Sequence, residues 1–224
     1  MAFPIQRIQK TEQDPERRAA DRALLLSRIA VGLAHEGKNP LQNMVLHLQL
    51  TAEKLASATP VDKHLAALRE GIGRVDHLLK AFGEFAAPDH LPADLGAALD
   101  RAVLLFAHEA RRAGAELHVK APTALHVESD SRVLGDLVAH ALVAGIEFAR
   151  DGGRLLVHLE TRGPLAVLDV RAEDGAGSPE QARPHLDAAR RLAAEAGCEL
   201  SIDTPPAGGA RLSLSFLHRG NTQP

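Results

Sequence analysis

Tryptophan and tyrosine are absent from this 224-residue chain, and six phenylalanines leave its aromatic share at 3%. That removes the stacking platforms that grip bases or sugars and points to a core of Leu, Val and Ala. The single cysteine, Cys198, has no internal disulfide partner and reads as a small buried side chain, so a reducing cytoplasm is the expected setting. No run approaches the ~18 apolar residues of a membrane span, and none resembles the apolar stretch of a signal peptide. Basic charge is not in excess either. Lys and Arg number 26 against 29 Asp and Glu, a net charge of −3, which argues against nucleic acid or an anionic membrane as partner. Twelve histidines are many. Yet His108, His118, His126, His140 and His158 share no metal-ligand spacing, and His47 and His64 read as solvated, so no bound metal is expected.

What is present divides into a helical part and a mixed part. After a polar segment over 1–13, Asp14 and Pro15 supply an N-cap and a preset first helical residue, and a helix is expected from there to about Ser57. Its apolar or small seam runs Leu26, Ala30, Leu33, Gly37, Leu41, Met44 and Leu48. Thr59 and Pro60 repeat the start signal, and Leu65, Leu68, Ile72, Val75, Leu79 and Phe82 follow in steps of three and four. Two long helices with such wide stripes predict an antiparallel hairpin over 14–87 that dimerises into a four-helix bundle, hence a homodimer. The arginines Arg17, Arg18, Arg22 and Arg28 share their helix with Glu16 and Asp21 and read as a solvated face.

Pro88 and Pro92 mark a linker near 86–94, and a second domain is expected over 94–220. The pattern there gives helices at about 94–113, 131–149 and 183–196. Strands are expected at 116–120, 125–128, 154–161, 165–172, 199–203 and 211–217. The fold class is α+β, with helices on one face of a mixed sheet.

The chemistry concentrates in AHEGKNPLQ, residues 34–42. His35 lies two residues past Leu33, about 200° around the helix, and is expected to point away from the apolar seam. Neutral imidazole is a competent nucleophile near pH 7, and a carboxylate can hold its tautomer; Glu36 is the nearest candidate. Asn39 lies one turn on, where its amide can orient a water toward a phosphoryl group, and Lys38 can offset phosphate charge. Pro40 interrupts the helical hydrogen bonding at a cost of about 3 kcal/mol and is expected to bend the helix just after His35. The competing reading is an ordinary amphipathic helix with a solvated histidine, against which the mid-helix proline counts.

These residues resemble the H-box of sensor histidine kinases, often written HE[IL]xNPL. The following ALREGIGRVDHLLKAFGEFA resembles the second helix of their dimerisation and phosphotransfer domain, and the remainder resembles their ATP-binding (Bergerat-like) α/β-sandwich domain in length and element order. The resemblance implies that His35 is the phosphoacceptor, Glu36 its acid-base partner and Asn39 the residue linked to dephosphorylation of a response regulator. Lys38, Pro40 and Gln42 would contact the phosphate or the receiver. Gly37 departs from the usual Ile or Leu.

Against the family's nucleotide site the sequence is degenerate. Alignment places Ala144 at the metal-binding Asn, His140 at an earlier Asn and Glu147 at a basic position. Alanine cannot coordinate Mg²⁺, and a carboxylate repels phosphate. EDGAG keeps Gly175 and Gly177, but its alignment on these glycines offers Glu173, and strand alternation offers Ala172, at the position of the adenine-binding Asp. Asp174 reaches it only by a one-residue shift. Ser178 to Ala182 leaves no room for a lid, and Arg183 and His185 replace two phosphate-cradling glycines.

The expectation is therefore a histidine phosphotransferase that binds no cofactor and passes phosphate between response-regulator receiver domains, with Mg²⁺ supplied by the receiver. Its rivals are a non-catalytic binding module, a phosphatase acting through Asn39, and a kinase with unusual nucleotide contacts.

Overall fold

A computed structural model describes residues 15–56, 60–87, 92–122, 124–205 and 209–218. Helix α1 spans Pro15–Ala56 and runs unbroken through Pro40; α2 spans Asp62–Ala86 and pairs with it. The expected cap Asp14 and the residues Ser57 and Thr59 lie outside the described residues. Helix α2 begins two residues after Pro60 behind Val61, which has no side chain able to cap it and makes no such bond. There follow α3 (Leu95–Arg112), β1 (Glu116–Lys120), α4 (Ser131–Phe148), β2 (Arg154–Arg162), β3 (Leu165–Glu173), α5 (Pro179–Ala196), β4 (Glu199–Asp203) and β5 (Ala210–Leu217).

The strands form one mixed sheet in the order β1-β2-β3-β5-β4, parallel only between β1 and β2. Alternation turns Leu155, Val157 and Leu159 of β2 and Leu212, Leu214 and Phe216 of β5 into a core shared with α3, α4 and α5. On the other face, Asp169 is held by Arg162 and Arg211 at 3.1 and 2.9 Å. Burial opposes ionisation of that carboxyl, but the arginine bonds prevail and keep it below the usual carboxylate range.

Helix starts follow local chemistry. Asp94 accepts from the Ala97 N–H, and Asp130 from the Arg132 and Val133 N–H groups. Helix α5 starts four residues earlier than the apolar pattern predicts. Ser178 and Gln181 form a reciprocal capping box with Pro179 at the first position, so Ser178–Ala182 is the cap and first turn of a helix. Gly197 ends it in the left-handed conformation, φ 68°. The expected strand at 125–128 is only two isolated bridges, Asp94 to His126 and Val127 to His218, made with the start of α3 and the residue just past β5.

The hairpin departs from expectation in which stripe it buries. Within the chain α1 buries Leu25, Ile29, Gly32, Pro40 and Thr51, and α2 buries His64, Gly71, Leu78 and Phe85, a strict seven-residue spacing, together with Ala81. Much of the predicted seam faces out instead. Leu41, Leu48, Ile72 and Leu79 are each at least half exposed, as are Val31, Val45, Leu46 and Leu55. Gly71 lets the helices approach, since a Cβ there would lie 2.7 Å from Met44 Cγ. At its base the hairpin is not separate from the sheet region: Leu25, Ile29, Ala81 and Phe85 belong to the same apolar core. Among the described residues no helix is long and apolar enough to cross a membrane.

Candidate functional site

The exposed face of mid-α1 carries His35, Lys38, Asn39 and Gln42. At 100° per residue, Asn39 and Gln42 return to within about 40° of His35, one and two turns along the helix. Pro40 does not join them. Five residues on, it falls some 140° away and is buried toward α2, its carbonyl 3.6 Å from where a Gly71 Cβ would stand. A shallow groove of about 670 Å³ runs beside this face, lined by Leu33, Gly37, Lys38, Leu41, Gln42 and Val45. At Gly37 a Cβ would meet nothing within 4 Å.

Glu36 is placed differently from expectation. Its carboxylate pairs with Arg111 of α3 and lies 3.4 Å from His108 Nδ1. Consecutive helical side chains diverge by about 100°, so Glu36 turns toward α3 while His35 stays exposed. The His35 ring is instead stacked on His108, with centroids 4.6 Å apart and planes 6° from parallel. Sequence reasoning missed His108 and Arg111 because they lie some seventy residues away, on a helix expected to belong to another domain.

A line of ion pairs fixes α3, α4 and α5 against the first half of α1. Arg18 pairs with Glu195, Asp21 with Arg191, Arg22 with Asp136, and Arg28 with both Glu109 and Glu147. Arg22 also donates to the carbonyls of Phe85 and Ala86 at the end of α2. Arg18, Arg22 and Arg28 are thus not a solvated face. The signal was available in Asp136 and Glu147, acidic residues in an otherwise apolar helix that need cationic partners when buried. Burial opposes the ionisation of Glu147, but hydrogen bonds from Arg28 and Arg150 outweigh it and hold the carboxyl below its usual range.

Of the positions that the family resemblance sets against nucleotide, some are packed inside, while Asp174 and Arg183 are exposed and Gly175 and Gly177 half-buried. Ala144, His140 and His185 are fully buried, and α5 packs along α4. His140 and His185 share a 2.9 Å Nδ1 to Nδ1 hydrogen bond, which requires one ring to donate and the other to accept; neither Nε2 has a partner. Burial depresses both rings to a pKa of about 3. The glycine turn is seated on the end of α4: a Cβ on Gly177 would lie 1.7 Å from the Glu147 carbonyl oxygen, and one on Gly175 2.2 Å from that of Phe148. His64, expected in solvent, is buried at the hairpin interface with its Nδ1 3.0 Å from His47 Nδ1. Cys198 is free and buried, its thiol pushed up to about 12 by desolvation. No group of three or more His, Cys, Asp or Glu able to hold a metal occurs among the described residues.

No protein-family model matches the chain, and no curated protein matches it. Solved structures do. A mycobacterial sensor histidine kinase, MprB, is 25% identical over 58% of this chain and 98% of its own, with a TM-score of 0.48. The Acinetobacter baumannii histidine kinase AdeS is 12% identical over 83% of this chain and 98% of its own, TM-score 0.47. A structure described as a bacterial phosphotransferase is 21% identical over 91% of this chain and 98% of its own, TM-score 0.46. The protein is similar to the cores of sensor histidine kinases.

Proposed function

We propose that the protein is a cytoplasmic homodimeric histidine phosphotransferase that relays phosphate between response-regulator receivers through His35. The observation that carries this reading is an exposed imidazole on a helix face shared with Lys38, Asn39 and Gln42. In the transfer, a lone pair on the His35 ring attacks phosphorus as the P–O bond of a receiver aspartyl phosphate breaks. The electron pair returns to the aspartate carboxylate, and the reverse exchange loads a second receiver. Mg²⁺ comes with the receiver, and the chain supplies a nucleophile held for in-line attack.

The residues do not fit Mg-ATP. Ala144 has no ligand atom, Glu147 is committed to Arg28 and Arg150, and Gly175 and Gly177 are seated against α4 backbone. Dimerisation draws support from the outward stripe containing Leu41, Leu48, Ile72 and Leu79. Such a face is stable in water when a second copy covers it, as in a four-helix bundle.

The test is incubation with a receiver carrying labelled aspartyl phosphate. Label is expected on wild type and absent from His35→Ala. Label on neither, with the receiver still bound, would reduce the protein to a binding module. Asn39 is exposed one turn from His35, which favours a second reading as a phosphatase. Under that reading receiver dephosphorylation survives His35→Ala and fails in Asn39→Ala. Calorimetric binding of Mg-ATP near micromolar concentration would overturn the nucleotide-free reading.

A further inference from the structure

Helix α3 packs tightly against α1 at Gly32, three residues before His35. A Cβ there would lie 3.3 Å from the Leu105 carbonyl oxygen and 3.8 Å from His108 Cβ. That close approach sets the His108 ring parallel to His35 at 4.6 Å. The Glu36 carboxylate lies 3.4 Å from His108 Nδ1, at the ring edge, and Glu36 is anchored by Arg111. The neighbouring Glu109, bound to Arg28 and Arg112, fixes the same turn of α3 against α1. Among the described residues His108 is the ring that stacks on the exposed His35 imidazole, and Glu36 and Arg111 pair behind it in a chain of contacts.

We propose that His108 is a positioning residue for His35: seated by Gly32 and held by Glu36 and Arg111, it covers one face of the acceptor imidazole and fixes the rotamer presented to an incoming phosphoryl group. The inference rests on the reading of His35 as phosphoacceptor. It adds that α3, outside the helical hairpin, completes the acceptor site. An exposed histidine on a lone helix samples several χ1 and χ2 wells, and in-line attack uses one of them. Parallel stacking restricts that choice while leaving the ring edge open.

The test uses the 224-residue chain with phosphoramidate, a small phosphoryl donor that needs no docking surface. Transfer breaks the donor P–N bond, ammonia leaves with that electron pair and a proton, and the new P–N bond forms on His35. His108→Ala is expected to slow labelling of His35 about three- to tenfold and to move the His35 ring signals in NMR spectra of histidine-labelled protein. His108→Phe, which keeps a flat ring, is expected to restore the rate to within about twofold of wild type. A merely structural role for His108 would change the unfolding midpoint and leave rate and His35 signals in place; that result overturns the proposal, as does a Phe variant no faster than Ala. Wild type that takes no label at His35 overturns the acceptor reading instead, and the His35 ring signals in His108→Ala then decide the positioning contact separately.

Discussion

Two glycines summarise the contrast between the hairpin and the sheet domain. Around Gly37 an added Cβ would meet nothing within 4 Å, whereas at Gly177 it would fall 1.7 Å from a backbone oxygen of α4. The first lies on a helix that turns leucines to solvent, the second in a half-buried turn pressed against the end of α4. The contrast teaches that the same chain closes one region down to backbone contact and leaves an open apolar stripe on the other. In the sheet domain Ala144, His140 and His185 are fully buried, whereas the hairpin exposes Leu41, Leu48, Ile72 and Leu79.

The largest effect should come from pressing on the closed region. Gly177→Ala is expected to cost about 4 kcal/mol or more, because the obstructing atom is backbone and cannot swing away; a fall in the urea midpoint at constant slope measures it. Arg28→Ala leaves Glu109 and Glu147 without their shared cation and should cost about 3 kcal/mol, less than for a fully buried pair because the arginine is partly solvated.

Acid comes next. His140 and His185 titrate near 3 when folded and near 6.5 when unfolded, so between those values the unfolded chain binds protons that the folded chain refuses. Stability should therefore be level above about pH 6.5 and fall below it, by up to about 1.4 kcal/mol per pH unit for each ring. Denaturation midpoints measured from pH 8 to pH 5 give the slope, and the paired change His140→Leu with His185→Leu should flatten it.

On the open region the signs change. Gly37→Ala should stabilise α1 by about 1 kcal/mol, through helix propensity alone. Leu48→Glu should alter the stability of the single chain by less than about 0.5 kcal/mol, yet shift sedimentation toward monomer. A Leu48→Glu protein that sediments as wild type would show that the outward stripe is not covered by a second copy.

Much of this architecture was legible in the order of residues. Capping at Asp130, the stop at Gly197 and the limits of β1 and β4 are local events, set by residues within a few positions of the bonds they make. The exposure of His35 followed from helical angle. The buried stripe of the hairpin was not legible. Periodicity reports that Leu41, Leu48, Ile72 and Leu79 need covering and is silent about which chain covers them, while the intrachain contact uses Gly71 and His64, residues no apolar scan would choose. The start of α5 was missed because its first turn is polar and announced by Ser178 and Pro179 rather than by an apolar residue. His108 and Arg111 were invisible for a different reason: nothing within α3 reveals that Gly32 lets it approach α1.

Helix α1 has 42 residues and is about 63 Å long. The ion pairs that clamp it to the sheet domain run from Arg18 to Glu36, while beyond Asn39 its close neighbour is the slender α2. The rod is thus a beam built into a wall at one end and cantilevered from the turn that bears His35. A sideways load on its far tip, such as a docking protein would apply, concentrates bending moment at that turn, so His35 stands where mechanical strain in the molecule would first be felt.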